Sequence, residues 1–154
     1  MSLQPYRPQD CEAVLEVWQR AATIAHSFLP ADHFAQERIA IATQYLPVAE
    51  TWVYEHQGHI VGFVSLVNDE GSSEVGGLFV APAWQGRGLG RALMDHAVAL
   101  KGALTVAVFE QNAMGRGFYD RYGFRETGRS HHDDTGLTLV QMQYPFPRSP
   151  DQPE

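Results

Sequence analysis

The sequence predicts an α/β domain, more closely an α+β mixed sheet of about seven strands flanked by about four helices. Three observations predict it. Strand-like and helix-like stretches succeed one another in the order β, α, α, βββ, α, β, α, ββ. The three strands before residue 80 are separated only by turn signals, whereas "LTVAV", Leu104–Val108, is continuously apolar, as expected of a buried, partly parallel strand. Finally, 154 residues with 44% hydrophobic content suffice for one sizeable core, so the chain reads as one domain over 1–145 with a Pro-rich tail, 146–154, that packs little.

"LQPYRP" gives a short extended start. Asp10 is the expected N-cap of a first helix whose apolar face is Val14, Val17, Trp18 and Ala21, at spacing i, i+3, i+4, i+7. "TIAHSFLPADHF" interrupts it at Pro30, and a second helix, capped at Asp32 and carrying Phe34, Ile39 and Tyr45, stops at Pro47. "TWVYE" and "IVGFVSLV" form a hairpin through "HQGH", and "EVGGLFV" follows the turn residues of "NDEGSS". A third helix places Leu89, Leu93, Ala97 and Leu100 on one stripe and ends at Gly102. After "LTVAV", a fourth helix opens at Asn112 and closes at Gly123. "FRETGR", from Phe124, and "LTLVQMQY" supply the last two strands.

Composition narrows function. A formal net charge of -7 argues against a nucleic-acid partner, whose phosphates need a basic face, and suits a cationic one. One cysteine, Cys11, allows no intramolecular disulfide; no run reaches the roughly 18 apolar residues of a membrane span, and no secretory signal is seen, so the expected location is cytoplasmic.

The stretch "LFVAPAWQGRGLGRAL" carries the chemistry. A strand that runs through a glycine-rich turn into a helix leaves free N–H groups at the positive end of the helix dipole, which is an anion site. Glycines let the backbone approach a phosphate, and Arg87 and Arg91 can add charge-assisted contacts. With glycines at 86, 88 and 90 and Arg91 where a dinucleotide fold needs glycine, the Gly-x-Gly-x-x-Gly pattern fails; a Walker loop fails for want of Gly-Lys-Ser/Thr. Gly76 and Gly77, inside a strand, signal a bulge or a close approach of another backbone. Gly115 and Gly117, inside a helix, each cost roughly 1 kcal/mol relative to alanine.

"VAPAWQGRGLGRAL" resembles the acyl-coenzyme A signature of the GNAT family of N-acetyltransferases, Gln/Arg-x-x-Gly-x-Gly/Ala, with Gln85, Gly88 and Gly90 in place. "NAMGRGFYDRYGF" resembles the family's Asn-x-x-Ala-x-x-x-Tyr-x-x-x-Gly-Phe segment, with Gly115 where alanine is usual. The resemblance extends over nearly the whole chain and implies a GNAT fold, with acetyl-CoA as cosubstrate. It implies that the amides of Gln85, Gly86, Arg87, Gly88, Leu89 and Gly90 receive the pyrophosphate, with Arg91 a further cofactor-binding residue. The backbone of Leu78, Phe79 and Val80 would receive the pantetheine arm and polarise the thioester carbonyl, with Asn112 and Tyr119 on the facing helix. The implied reaction is direct acetyl transfer to an amine, either a small molecule or a protein lysine or N-terminus; the alternative is a non-catalytic acyl-CoA sensor, which keeps the loop and needs no base.

Tyr119 matches the family's general acid, and a phenol with a reference pKa of about 10 can protonate the departing sulfur. For the base the candidates are Glu74 acting through water, Glu110, and His26, whose ordinary pKa lies near neutrality. Ala107 stands where the ribosomal-protein branch of the family carries a glutamate. "HHDDTG", His131–Gly136, is placed in the turn between the last two strands, a second wall of the acceptor site. Consecutive residues rarely aim at one centre, so no metal is expected there. Trp18, His26 and Phe28, together with "HHDDTG", are similar to a bacterial subgroup acting on lysines or small amines, and the family implies a possible homodimer.

Overall fold

The computed structural model describes residues 2–69 and 71–145; the Pro-rich tail inferred for 146–154 lies outside them. The elements are β1 (Ser2–Pro5), α1 (Cys11–Ala25), α2 (Ala31–Ala40), β2 (Glu50–His56), β3 (His59–Asp69), β4 (Ser72–Val80), α3 (Leu89–Lys101), β5 (Leu104–Phe109), α4 (Ala113–Tyr122), β6 (Arg125–His131) and β7 (Thr138–Tyr144). The strands form one seven-stranded sheet in the order β1-β2-β3-β4-β5-β7-β6. Every neighbouring pair is antiparallel except β4 and β5. The mixed sheet and the order of its elements are those the sequence predicts.

Alternation along β2 and β3 divides the apolar residues between two faces. Val53 and Phe63 join Val14, Val17, Trp18, Ala22 and Phe34 under α1 and α2, whereas Val64 and Leu66 join Leu93, Met94 and Ala97 of α3. Phe124 is wholly buried in this second cluster, ahead of β6 rather than opening it. Arg38 fixes α2 against α1, donating to Gln19 Oε1 at 2.6 Å and Glu12 Oε2 at 3.0 Å.

Several local expectations are corrected. Asp10 occupies the N-cap of α1 as expected, but its side chain does not cap that helix: it ends a 3-10 turn, Pro8–Asp10, and its Oδ2 accepts from the Arg7 N–H at 2.9 Å. Pro30, not Asp32, is the N-cap of α2. Ile39 is 65% exposed because a residue five positions beyond buried Phe34 lies about 140° around a helix. Tyr45 is half-exposed because the segment after α2 winds as a π turn, Ile41–Tyr45, which changes the register. In α3, Met94 rather than Leu100 completes the buried stripe. His131 belongs to β6, paired with Thr138, so the turn begins at His132.

The sheet opens in the middle. Ser65 pairs with Gly77 and Leu66 with Val75, which leaves Gly76 as the extra residue of a bulge. A Cβ there would stand 2.9 Å from Val67 Cγ2, so the bulge needs glycine. Past it the strands diverge: β4 and β5 pair only at Glu74–Thr105 and Val75–Val106. The peptide groups of Leu78–Val80 that face β5 therefore have no strand partner among the described residues.

Candidate active site

The divergence creates a cleft of about 1030 Å3. One wall is β4 through Val80, the other β5 from Val106 to Phe109. The Gln85–Gly90 turn closes one end, and the α1–α2 connection with His132 forms the other. The first turn of α4, Phe118 and Tyr119 line it between these ends.

The turn is built for an anion. Gly86 and Gly88 have φ of 78° and 83°, left-handed values that a side chain resists. Gly88 is the N-cap of α3 and no side chain caps the helix, so its first-turn N–H groups are available to a ligand. Gln85 Nε2 donates to the Val80 carbonyl at 3.0 Å and ties the turn to the end of β4. A Cβ on Gly90 would meet Phe118 at 3.2 Å, which shows how closely α3 approaches α4. Arg87 and Arg91 stand off the cleft wall, their guanidinium carbons 4.7 Å and 5.4 Å from the ring centroids of Trp84 and Tyr122.

Tyr119 is buried between Phe118 and Phe124, at centroid distances of 5.4 Å and 5.2 Å, and burial pushes its phenol well above the ordinary value. It therefore stays protonated at neutral pH. Asn112 Oδ1 accepts from the Gly115 N–H at 2.9 Å and so caps α4, as the sequence predicts, while its Nδ2 stands 3.2 Å from His26 Nε2. A Cβ on Gly115 would stand 2.5 Å from that Nδ2, so the glycine makes room for the amide in this position. With the amide donating, His26 Nε2 is the acceptor and the ring proton sits on Nδ1.

His26 departs from the near-neutral base expected of it. It packs against Phe28, Phe79 and Phe109, and burial, with a contribution from His33, pushes its pKa down to about 4. It is neutral at pH 7, and its Nε2 lone pair is engaged by Asn112. Glu74 lies on β4 where pairing with β5 begins, and Glu110 is ion-paired with Arg129; neither lines the cleft. Ala107 lines it and brings no carboxylate. Of the turn residues singled out above, His132 alone lines the cleft, its Nδ1 3.0 Å from Thr135 Oγ1.

Among the cleft residues absent from the sequence reading are two able to accept a proton, His33 and Glu37 of α2. They are four apart and share a helix face, a spacing present in "ADHFAQE" that could have marked them. Among the described residues no group of three or more His, Cys, Asp or Glu could hold a metal ion, and no helix is long and apolar enough to cross a membrane.

Residues 47–126 match the family model of the acetyltransferase (GNAT) domain. The chain is 33% identical over 148 residues to the peptidyl-lysine N-acetyltransferase YjaB of Salmonella typhimurium, covering 94% of this chain and 99% of that protein. It is 32% identical over 133 residues to the peptidyl-lysine N-acetyltransferase YiaC of Escherichia coli K12, covering 86% and 89%. The fold matches the solution structure of apo YjaB from Escherichia coli with a TM-score of 0.79 at 32% identity, over 93% of this chain and 96% of that one. It also matches the PaiA N-acetyltransferase of Thermoplasma acidophilum, solved with coenzyme A, with a TM-score of 0.77 at 15% identity, over 94% and 100%. The strand divergence, the uncapped glycine turn and these relationships lead to one conclusion: this chain belongs to the GNAT family of acetyltransferases.

Proposed function

We propose that the protein moves an acetyl group from acetyl-CoA to the side-chain amine of a protein lysine, by direct attack while both substrates are bound. The observation that carries this reading is one continuous cleft in which an anion-binding turn and a separate end lined by His26, His33, Glu37 and His132 flank one buried tyrosine. The naming of YjaB and YiaC as peptidyl-lysine acetyltransferases supports the choice of acceptor.

The residues present fit acetyl-CoA. The amides from Gln85 to Gly90 and at the start of α3 receive the pyrophosphate, with Arg87 and Arg91 swinging in from Trp84 and Tyr122. The unpaired peptide groups of Leu78–Val80 receive the pantetheine arm as a further strand would be received, and a backbone N–H there polarises the acyl oxygen. When bound, the thioester supplies the activated acyl carbon. Tyr119 donates its proton to the departing sulfur, and its raised pKa keeps that proton available over the whole physiological range. Asn112 lines the cleft beside the ligand and also caps α4, which sets the position of Tyr119 on the same helix.

The test begins with thermal stability. Acetyl-CoA at about 100 times its dissociation constant should stabilise the protein by roughly 2.7 kcal/mol, with no comparable shift from NADH or ATP. Acetylation of lysine peptides by the same preparation is then expected. Coenzyme binding without transfer to any amine would favour the sensor instead.

A further inference from the structure

A second cavity, about 530 Å3, lies between α2 and the β6–β7 turn. Leu29, His33, Glu37 and Tyr45 line both it and the main cleft, so the two spaces meet across α2. The charged side chains lining the second cavity are Asp32, Glu37 and Asp134, with no lysine or arginine among its described lining residues. Their field is felt locally, since the Tyr45 phenol is pushed up first by Glu37, then by burial and by Asp134.

Within the main cleft, the groups able to take a proton from an amine are His26, His33, Glu37 and His132. His26 has its Nε2 engaged by Asn112, and burial makes it a weak base. His132 lines the main cleft only, with Nδ1 turned to Thr135. His33 lines both spaces, is half-buried, and has no side-chain hydrogen-bond partner among the described residues. Its ring stands 6.3 Å from that of His132 across the cleft end, and Glu37 lies one turn along on the same helix face.

We propose that the acceptor amine enters through the second cavity and that His33, in the wall the two spaces share, is the catalytic base, with Glu37 holding the ammonium as it arrives. The proposal rests on the transferase reading above and adds to it the base and the route by which the acceptor's ammonium arrives. His33 takes one proton from the ammonium and passes it to solvent. The freed lone pair forms the C–N bond, the C–S bond breaks, and sulfur receives the Tyr119 proton. The second proton lost by nitrogen restores Tyr119 through water, so an ammonium and a thioester become an amide, a thiol and one proton. The other titratable side chains in the walls around His33 are His26, Asp32, Glu37, Tyr45, His132 and Asp134.

The experiment compares the wild-type protein with His33→Gln and Glu37→Gln on two acceptors: a lysine peptide, and the same peptide carrying an aminooxy group, which is neutral at pH 7. On the lysine peptide, His33→Gln should lower kcat by about tenfold or more and abolish the low-pH limb of kcat/KM. On the aminooxy peptide, which has no ammonium proton to lose, it should stay within about twofold of wild type. Glu37→Gln should raise KM for the lysine peptide and leave kcat near wild type. His33→Asn should repeat the His33→Gln pattern, and the thermal shift with coenzyme A should persist in every variant. Equal losses on both acceptors, or unchanged lysine turnover in both His33 variants, overturn the proposal while leaving the transferase reading intact. A wild-type protein that binds no coenzyme A and acetylates neither acceptor overturns both.

Discussion

The two ends of the cleft are made of different material. The donor end is backbone: a bulge at Gly76, peptide groups along Leu78–Val80, and the uncapped start of α3 behind Gly88. The acceptor end is side chains brought together from the α1–α2 connection, α2 and the β6–β7 turn, represented by His26, His33, Glu37 and His132. A backbone site recognises what every donor shares, phosphates and an amide-bearing arm, and is set by glycine spacing. A side-chain site recognises what differs between acceptors.

Tyr119 lines the cleft between the ends, and as the proposed acid its loss should be the largest single effect. Tyr119→Phe should lower kcat by about a thousandfold while the stabilisation by acetyl-CoA is retained. Full turnover in that variant would remove the tyrosine's assigned role and leave the comparison without its centre.

The acceptor end should also reveal itself through pH. Burial, with a contribution from His33, pushes the His26 imidazole down to about 4 in the folded protein, from an ordinary value of 6.5. The unfolded chain thus binds its proton first as pH falls, and the stability this neutral histidine contributes is complete above pH 6.5 and lost progressively toward pH 4. The loss is on the order of 3 kcal/mol at most. Relative to His26→Gln, wild type should therefore lose additional Tm between those pH values, measured by calorimetry across a buffer series. Parallel curves would place His26 in water and break the aromatic enclosure by Phe28, Phe79 and Phe109.

At the donor end, Gly88→Ala tests backbone against side chain. Its left-handed φ of 83° costs an alanine roughly 1–2 kcal/mol, and nothing lies within 4 Å of the added Cβ, so strain rather than a clash is the cause. Relaxation of the turn should weaken acetyl-CoA by about tenfold in a direct binding titration, with KM for the acceptor unchanged. An acceptor effect of equal size would mean that the ends are not separable.

The same difference in material explains what was legible in the sequence. The Gln85–Gly90 turn, the Gly76 bulge and the Asn112 cap each depend on a local pattern in which a glycine or a capping amide has one physical reading. Glu110 did not: its partner, Arg129, lies on β6, and no spacing within the loop reveals that the carboxylate is already paired. His26 reads as a near-neutral base because its three aromatic neighbours come from the α1–α2 connection, β4 and β5. For His33 and Glu37 the i,i+4 spacing is present in the sequence, but that their helix face lines the cleft follows only from how α2 packs beside it.

The smallest expected effect joins the two ends. Gly115→Ala restores the residue usual in the family's second motif, and by helix propensity alone it should stabilise α4 by about 1 kcal/mol. The added Cβ would stand 2.5 Å from Asn112 Nδ2 and 3.3 Å from its Oδ1, so the amide must turn. Turning it breaks the contact with His26 at 3.2 Å, and a hydrogen bond of this kind contributes about 1 kcal/mol. The two terms oppose each other, so Tm should change by little. What should change is His26: with its Nε2 lone pair released from the amide, the imidazole should titrate at higher pH than in wild type, observable in the ring-proton chemical shifts. An increase in stability with the His26 titration unmoved would show that the amide yields without leaving the histidine, and that Gly115 is not what couples the N-cap of α4 to the acceptor wall.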